Sequence, residues 1–183
     1  MNVDLKSKVL IEIENSIRTV QDSNPDLYKA YPHRFTLGAT LNEGEILEFE
    51  RKFNITLPSD YRAYLKEIGN GGTHGILPLK DVLKRRYPNG NSPSNYLSNE
   101  FSMDKSITEE CLKEVGYFNY SEKEKEEYWL NNLRGTIDIR DVACGEFDTL
   151  VVSGNRKGEL WSDVMYADIG LYRTTRTFWD LIF

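Results

Sequence analysis

Two histidines, His33 and His74, and two cysteines, Cys111 and Cys144, are the side chains best suited to acid–base, nucleophilic or metal chemistry. Their spacing supports none of it. Neither histidine stands in a His-x-x-x-His or His-Glu pattern, so no helix face carries a zinc-type pair. His74 lies beside a glycine turn and reads as a solvated turn residue. Cys111 falls at core spacing on a helix and Cys144 precedes a hairpin glycine. Both read as buried free thiols, small apolar fillers and not thiolate nucleophiles. The stretch Gly69 to Gly75 lacks the Gly-Lys-Ser/Thr ending of a phosphate loop, and it follows a helix where such a loop must follow a strand. Gly154 to Gly158 reads as a hairpin turn, and no spacing of Asp or Glu matches a calcium loop. The expectation is a chain with no catalytic residue, no metal ligand and no cofactor.

Charge is more informative. The formal net charge is −6 over 183 residues, which disfavours a nucleic-acid binder because phosphate contacts need clustered Lys and Arg. The densest basic run, Lys84-Arg85-Arg86, is three residues long and reads as a solvated helix end. Between Asn99 and Glu127, nine acidic residues against four lysines put −5 of that charge into one stretch. Glu109, Glu110, Glu114, Glu122, Glu124, Glu126 and Glu127, with Trp129 beside them, are the candidate partner-binding residues. One reading is the solvated outer faces of two helices. The other is an acidic surface that meets a basic protein, where complementary potential speeds association and rejects wrong partners.

The elements that would position these groups follow from periodicity and caps. Leu5, Val9, Ile13, Ile17 and Val20 recur at helical spacing, and the helix ends before Asp22-Ser23-Asn24-Pro25. Residues 25–40, with Pro25 and Pro32, read as an irregular connector. Asn42 with Glu45 forms a capping box ahead of Ile46, Phe49 and Phe53. Another helix starts at Pro58, carries Tyr61, Tyr64, Leu65 and Ile68, and stops at Gly69. A short strand is expected at Thr73 to Leu77. Pro88 to Asn95 reads as a loop. A helix follows Thr108 with Cys111, Leu112 and Val115 inward and Gly116 as its stop. Ser121 and Glu124 cap a further helix that runs to about Leu133. After Gly135 short apolar runs, Ile137 to Ala143, Phe147 to Val152 and Leu160-Trp161, read as strands punctuated by Gly145 and by Gly154 to Gly158. A last helix is expected over Thr175 to Phe183, burying Phe178, Leu181 and Ile182. Helices, then antiparallel strands, then a helix predict an α+β fold.

The composition suits a soluble globule: 39% hydrophobic and 28% charged, with eleven Tyr, eight Phe and three Trp to fill a core. Met1 to Leu10 alternates charge with apolar residues and reads as neither signal peptide nor membrane span, so a cytoplasmic protein without a membrane partner is expected.

Leu57-Pro58, Tyr61, Leu65 and Gly69-Asn70-Gly71-Gly72, followed by Gly145, Asp148, Gly158, Trp161 and Phe178, resemble the pattern of the SUKH superfamily. That group contains a fungal regulator of cell-wall glucan synthesis and many bacterial immunity proteins. The resemblance covers roughly residues 41–83 and 137–183. It implies one SUKH-like domain over residues 1–183, with an N-terminal helix and connector at 1–40 and a helical elaboration at 86–135. It also implies non-enzymatic protein binding, either neutralisation of a cognate toxin, often a nuclease, or a regulatory scaffold in cell-wall or glucan synthesis. A third class, a small-ligand-binding domain, would need a deep polar pocket near His74 or Cys144.

Overall fold

The computed structural model describes residues 3–30 and 35–183. The expectations for Pro32 and His33, and for the side chain of Leu5, lie outside the described residues.

The chain is α+β. Four helices come first: α1 (Val3–Ser23), α2 (Pro25–Ala30), α3 (Glu43–Phe53) and α4 (Ser59–Glu67). Then come α5 (Glu109–Glu114) and α6 (Glu122–Asn132), and last four strands, β1 (Thr136–Ala143), β2 (Glu146–Val151), β3 (Leu160–Val164) and β4 (Gly170–Arg173). The strands form one antiparallel sheet in chain order, a meander in which each strand pairs with the next. Cys144-Gly145 joins β1 to β2 with both residues at positive φ, as a tight two-residue hairpin requires.

Local chemistry explains the helix starts. Glu45 N–H donates to Asn42 Oδ1 at 3.1 Å, and Asn42 N–H donates to Glu45 Oε2 at 2.8 Å, so two otherwise orphaned donors are satisfied. Pro58 caps α4, where its missing N–H costs nothing. The buried carboxylate of Glu50 accepts from Leu57 N–H at 2.8 Å and from Arg62 at 3.3 Å, which ties the end of α3 to the start of α4.

Alternation along the strands gives the sheet two apolar faces, and each meets a separate core. Ile137, Ile139, Leu150 and Leu160 pack with Val9 and Ile13 of α1, Ile46 and Phe53 of α3, and Tyr61, Tyr64 and Leu65 of α4. Phe178 sets its ring edge-on to both tyrosines, 5.3 Å from each centroid. On the other face Val151, Trp161 and Leu171 pack with Phe101, Ile107, Leu112, Tyr117 and Leu133. The helical block between residues 86 and 135 therefore supplies a second core. It covers a sheet face that would otherwise be open to water.

Several expectations change. The strand at Thr73 to Leu77 is a short 3-10 turn over Thr73–Gly75 followed by a single bridge of Ile76 to Arg140, because Gly71, Gly72, His74 and Gly75 all take positive φ and break any extended run. A Cβ on Gly72 would strike the carbonyl of Thr36. The connector after Asn24 holds α2. The last helix is one 3-10 turn, Trp179–Leu181, although Phe178, Leu181 and Ile182 are buried as expected. Val115 is 47% exposed and Cys144 is exposed, so neither fills a core, while Cys111 packs partly buried against the second core. Both outer sheet edges are covered. Ile107 exchanges backbone hydrogen bonds of 2.8 and 2.9 Å with Leu171 of β4. Leu77 donates to Ile139 of β1 at 2.8 Å, and Asp138 donates to Val82 at 3.0 Å.

Candidate partner-binding face

The two helices that carry the acidic stretch are fixed by their caps. Thr108 Oγ1 accepts from Cys111 N–H at 3.3 Å at the start of α5. Ser121 and Glu124 close the expected capping box on α6, and this holds the Glu124 carboxyl below the usual carboxylate range. Glu109, Glu110, Glu122 and Glu124 all stand in first turns, where the helix dipole favours negative charge.

The carboxylates divide into two groups. Glu109 pairs with Lys113 at 2.6 Å, Glu127 with Lys123 at 3.9 Å, and Glu124 is spent on its cap. Glu110, Glu114, Glu122 and Glu126 are exposed, with no cation in ion-pair range among the described residues. Val115 directly follows Glu114 and is exposed, exposed Phe118 stands between the two helices, and Ile169, also exposed, follows Asp168 at the turn before β4. None of the eleven residues of α6 is buried; Tyr128, Trp129 and Leu130 are half-covered.

Trp129 proves to be a structural post as well as a surface aromatic. Its indole N–H donates to Asp163 Oδ2 at 3.0 Å. Arg85 lies between two rings, its guanidinium carbon 4.6 Å from the Trp129 centroid and 4.0 Å from that of Phe147. The same guanidinium forks onto Asp138 at 3.0 and 2.9 Å and onto Asp163 at 2.7 Å. Arg86 is fully buried and donates to Asp138, to Thr136 Oγ1 at 2.9 Å and to the carbonyls of Thr136 and Leu133. Burial alone would raise the Asp138 pKa and lower that of Arg86. Each partner's charge overrides this, holding the carboxyl below and the guanidinium above its ordinary range. Arg85 and Arg86 are therefore not a solvated helix end. The sequence signal was present: Asp138 sits between Ile137 and Ile139 in a strand, so it must face the opposite side from both.

His74 is half-buried, its Nδ1 without a partner, and burial together with Arg140 lowers its pKa, which favours the neutral ring. A cavity of about 900 Å3 is lined by Pro58 to Asp60, Lys157 to Leu160 and Arg173 to Phe178, and includes neither His74 nor Cys144. Its arginines are engaged, Arg173 on Glu159 at 2.7 Å and Arg176 on Asp148. Among the described residues no three His, Cys, Asp or Glu side chains gather as metal ligands would, and no helix is long and apolar enough to cross a membrane.

In comparison with protein families, the model of the SMI1/KNR4 family (SUKH-1) fits residues 40–182. The chain belongs to that family. The matched span includes residues 86–135, which contribute to the second core. Helices α1 and α2 precede the SUKH-1 region. No curated protein and no solved structure matches the chain. The residues on which the resemblance was drawn are structural: Leu57, Pro58, Tyr61, Leu65, Trp161 and Phe178 are buried, Asn70 Oδ1 accepts from Leu79 N–H at 2.7 Å, and Asp148 receives Arg140 and Arg176.

Proposed function

We propose that this SUKH-1 chain is a non-enzymatic, cytoplasmic protein-binding domain of the immunity type, which neutralises a cognate toxin by covering it. The observation that carries this reading is the α5–α6 segment, which bears four uncompensated glutamates together with exposed Val115 and Phe118, and whose Lys125 reaches Asp168 beside exposed Ile169. Exposed apolar side chains interspersed with charged ones suit a protein interface, and the sign suits a toxin that binds nucleic acid and is itself basic. The covered edges of β1 and β4 favour recognition through side chains over addition of a strand to the sheet.

The test is co-expression with the toxin encoded beside this gene. Protection of the cells and recovery of a stable complex are expected. No complex and no protection would remove the proposal, and neighbouring wall-synthesis genes with a phenotype in the absence of toxin would favour the regulatory scaffold, the other role the SUKH pattern implies.

A further inference from the structure

Between α6 and the turn that leads into β4 lies a recess of about 450 Å3, lined in part by Tyr117, Trp129, Lys125 and Asp168. It already holds a cation of the chain's own. Lys125 Nζ stands 3.2 Å from Asp168 Oδ2 and 5.3 Å from the centre of the Tyr117 ring. Its side chain is 20% exposed, whereas that of Lys123 on the same helix is 84% exposed. A carboxylate beside an aromatic face is the chemistry that selects an alkylammonium or a guanidinium.

The recess has negative charge to spare. Arg85, which also lines it, is neutralised with Arg86 by Asp138 and Asp163, two cations against two anions. Lys125 and Asp168 cancel. Glu122 and Glu126 line the same recess and have no cation in ion-pair range among the described residues. The turn holds Asp168 in a left-handed conformation with φ 56° and its N–H bonded to the Met165 carbonyl at 2.9 Å. Apolar ground adjoins it: Ile169 follows directly and is exposed, and the Phe118 ring lies 5.8 Å from that of Tyr117.

We propose that this recess receives a lysine or arginine side chain of the partner protein, which displaces Lys125 from Asp168 and Tyr117. The proposal rests on the protein-binding reading above and names its anchor. The exchange conserves charge. Lys125 lies three positions after Glu122 on α6, a spacing at which the two side chains meet, so the displaced ammonium passes to Glu122 while the incoming cation takes Asp168. Lys125 is then a place-holder, and removing it should strengthen binding, the reverse of what loss of an ordinary surface contact does.

The test titrates acetyl-Gly-Arg-Gly-amide and acetyl-Gly-Lys-Gly-amide into the full chain and follows the Trp129 indole N–H resonance, with acetyl-Gly-Glu-Gly-amide, spermidine and matched sodium chloride as comparators. A saturable shift with the basic peptides alone is expected, tightened roughly threefold in Lys125→Ala and weakened by a similar factor in Glu122→Gln/Glu126→Gln, as surface ion pairs and cation–π contacts allow. Asp168→Asn should abolish it, with its thermal midpoint recorded as a folding control. Unchanged or weaker binding in Lys125→Ala, an equal shift with salt, or tighter binding of spermidine than of either peptide would overturn the assignment. Toxin capture indifferent to Asp168→Asn would overturn the anchor and leave the protein-binding reading standing. Peptide binding with the expected pattern upholds the anchor even where no toxin is captured.

Discussion

The indole of Trp129 donates to Asp163 across 3.0 Å, and this bond joins the outer helix to the middle of the sheet. No side chain of α6 is fully buried; Tyr128 and Trp129 pack half-covered on the second core, and Trp129 adds polar contacts, its indole on Asp163 and its ring under Arg85. The candidate binding face therefore depends on the buried Arg–Asp cluster behind it.

Trp129→Phe keeps the ring that stacks on Arg85 and removes the hydrogen bond. Asp163 retains Arg85 and the Met165 N–H, so the loss should be about 1 kcal/mol. Hydrogen exchange should speed up across Glu122–Asn132 and leave α3 and α4 unchanged. Uniform change across the chain would contradict this attachment of α6.

Asp138→Ala leaves the Arg86 guanidinium buried without its carboxylate. Breaking such a pair from one side costs about 3–5 kcal/mol, which corresponds to a fall of roughly 10 °C in Tm for a chain of this size. Replacing both partners, Arg86→Met with Asp138→Leu, should recover part of it, because two desolvated charges are removed together while Arg85 loses its fork on Asp138 and keeps Asp163. A double variant as unstable as the single would show that the cluster is held by something other than this pair.

Glu43 of α3 accepts from Arg62 and lies 2.8 Å from Lys66, and these bonds hold its carboxyl down from the usual 4.5 to about 2. A depressed folded-state pKa adds stability that is present above the unfolded value and is lost as pH falls through the folded one. The Tm difference between the wild-type chain and Glu43→Gln should hold steady above pH 5, narrow from about 4.5 to about 2, and vanish below. A difference that stays constant or grows with acid would contradict the bond.

Much of this was legible in the sequence, for physical reasons. The capping boxes at Asn42 and Ser121 and the Thr108 cap are local, satisfied within three residues, and each appears where its spacing placed it. The ion cluster was not legible as a cluster. Arg85 finds Asp138 and Asp163 at 53 and 78 positions away, and Arg86 finds Asp138 at 52, so only the folded meander brings them together. Strand β4 escaped notice because it is four residues long and opens on Gly170, where a Cβ would strike the Ile107 carbonyl. The acidic segment was visible as charge, but which glutamates are spent internally depends on side-chain reach: Glu109, Glu124 and Glu127 are engaged, and Glu110, Glu114, Glu122 and Glu126 remain.

The most direct measurement is the association rate of the neighbouring toxin with the wild-type chain and with Glu110→Lys/Glu114→Lys/Glu122→Lys/Glu126→Lys, across a range of salt. Steering by this face predicts a rate at least about tenfold lower in the variant at low salt, with the salt dependence flattened, and only a small fall in Tm, since none of the four has an ionic partner among the described residues to lose and only Glu110 and Glu122 stand in first helical turns. Equal rates and equal salt dependence in the two proteins would contradict it.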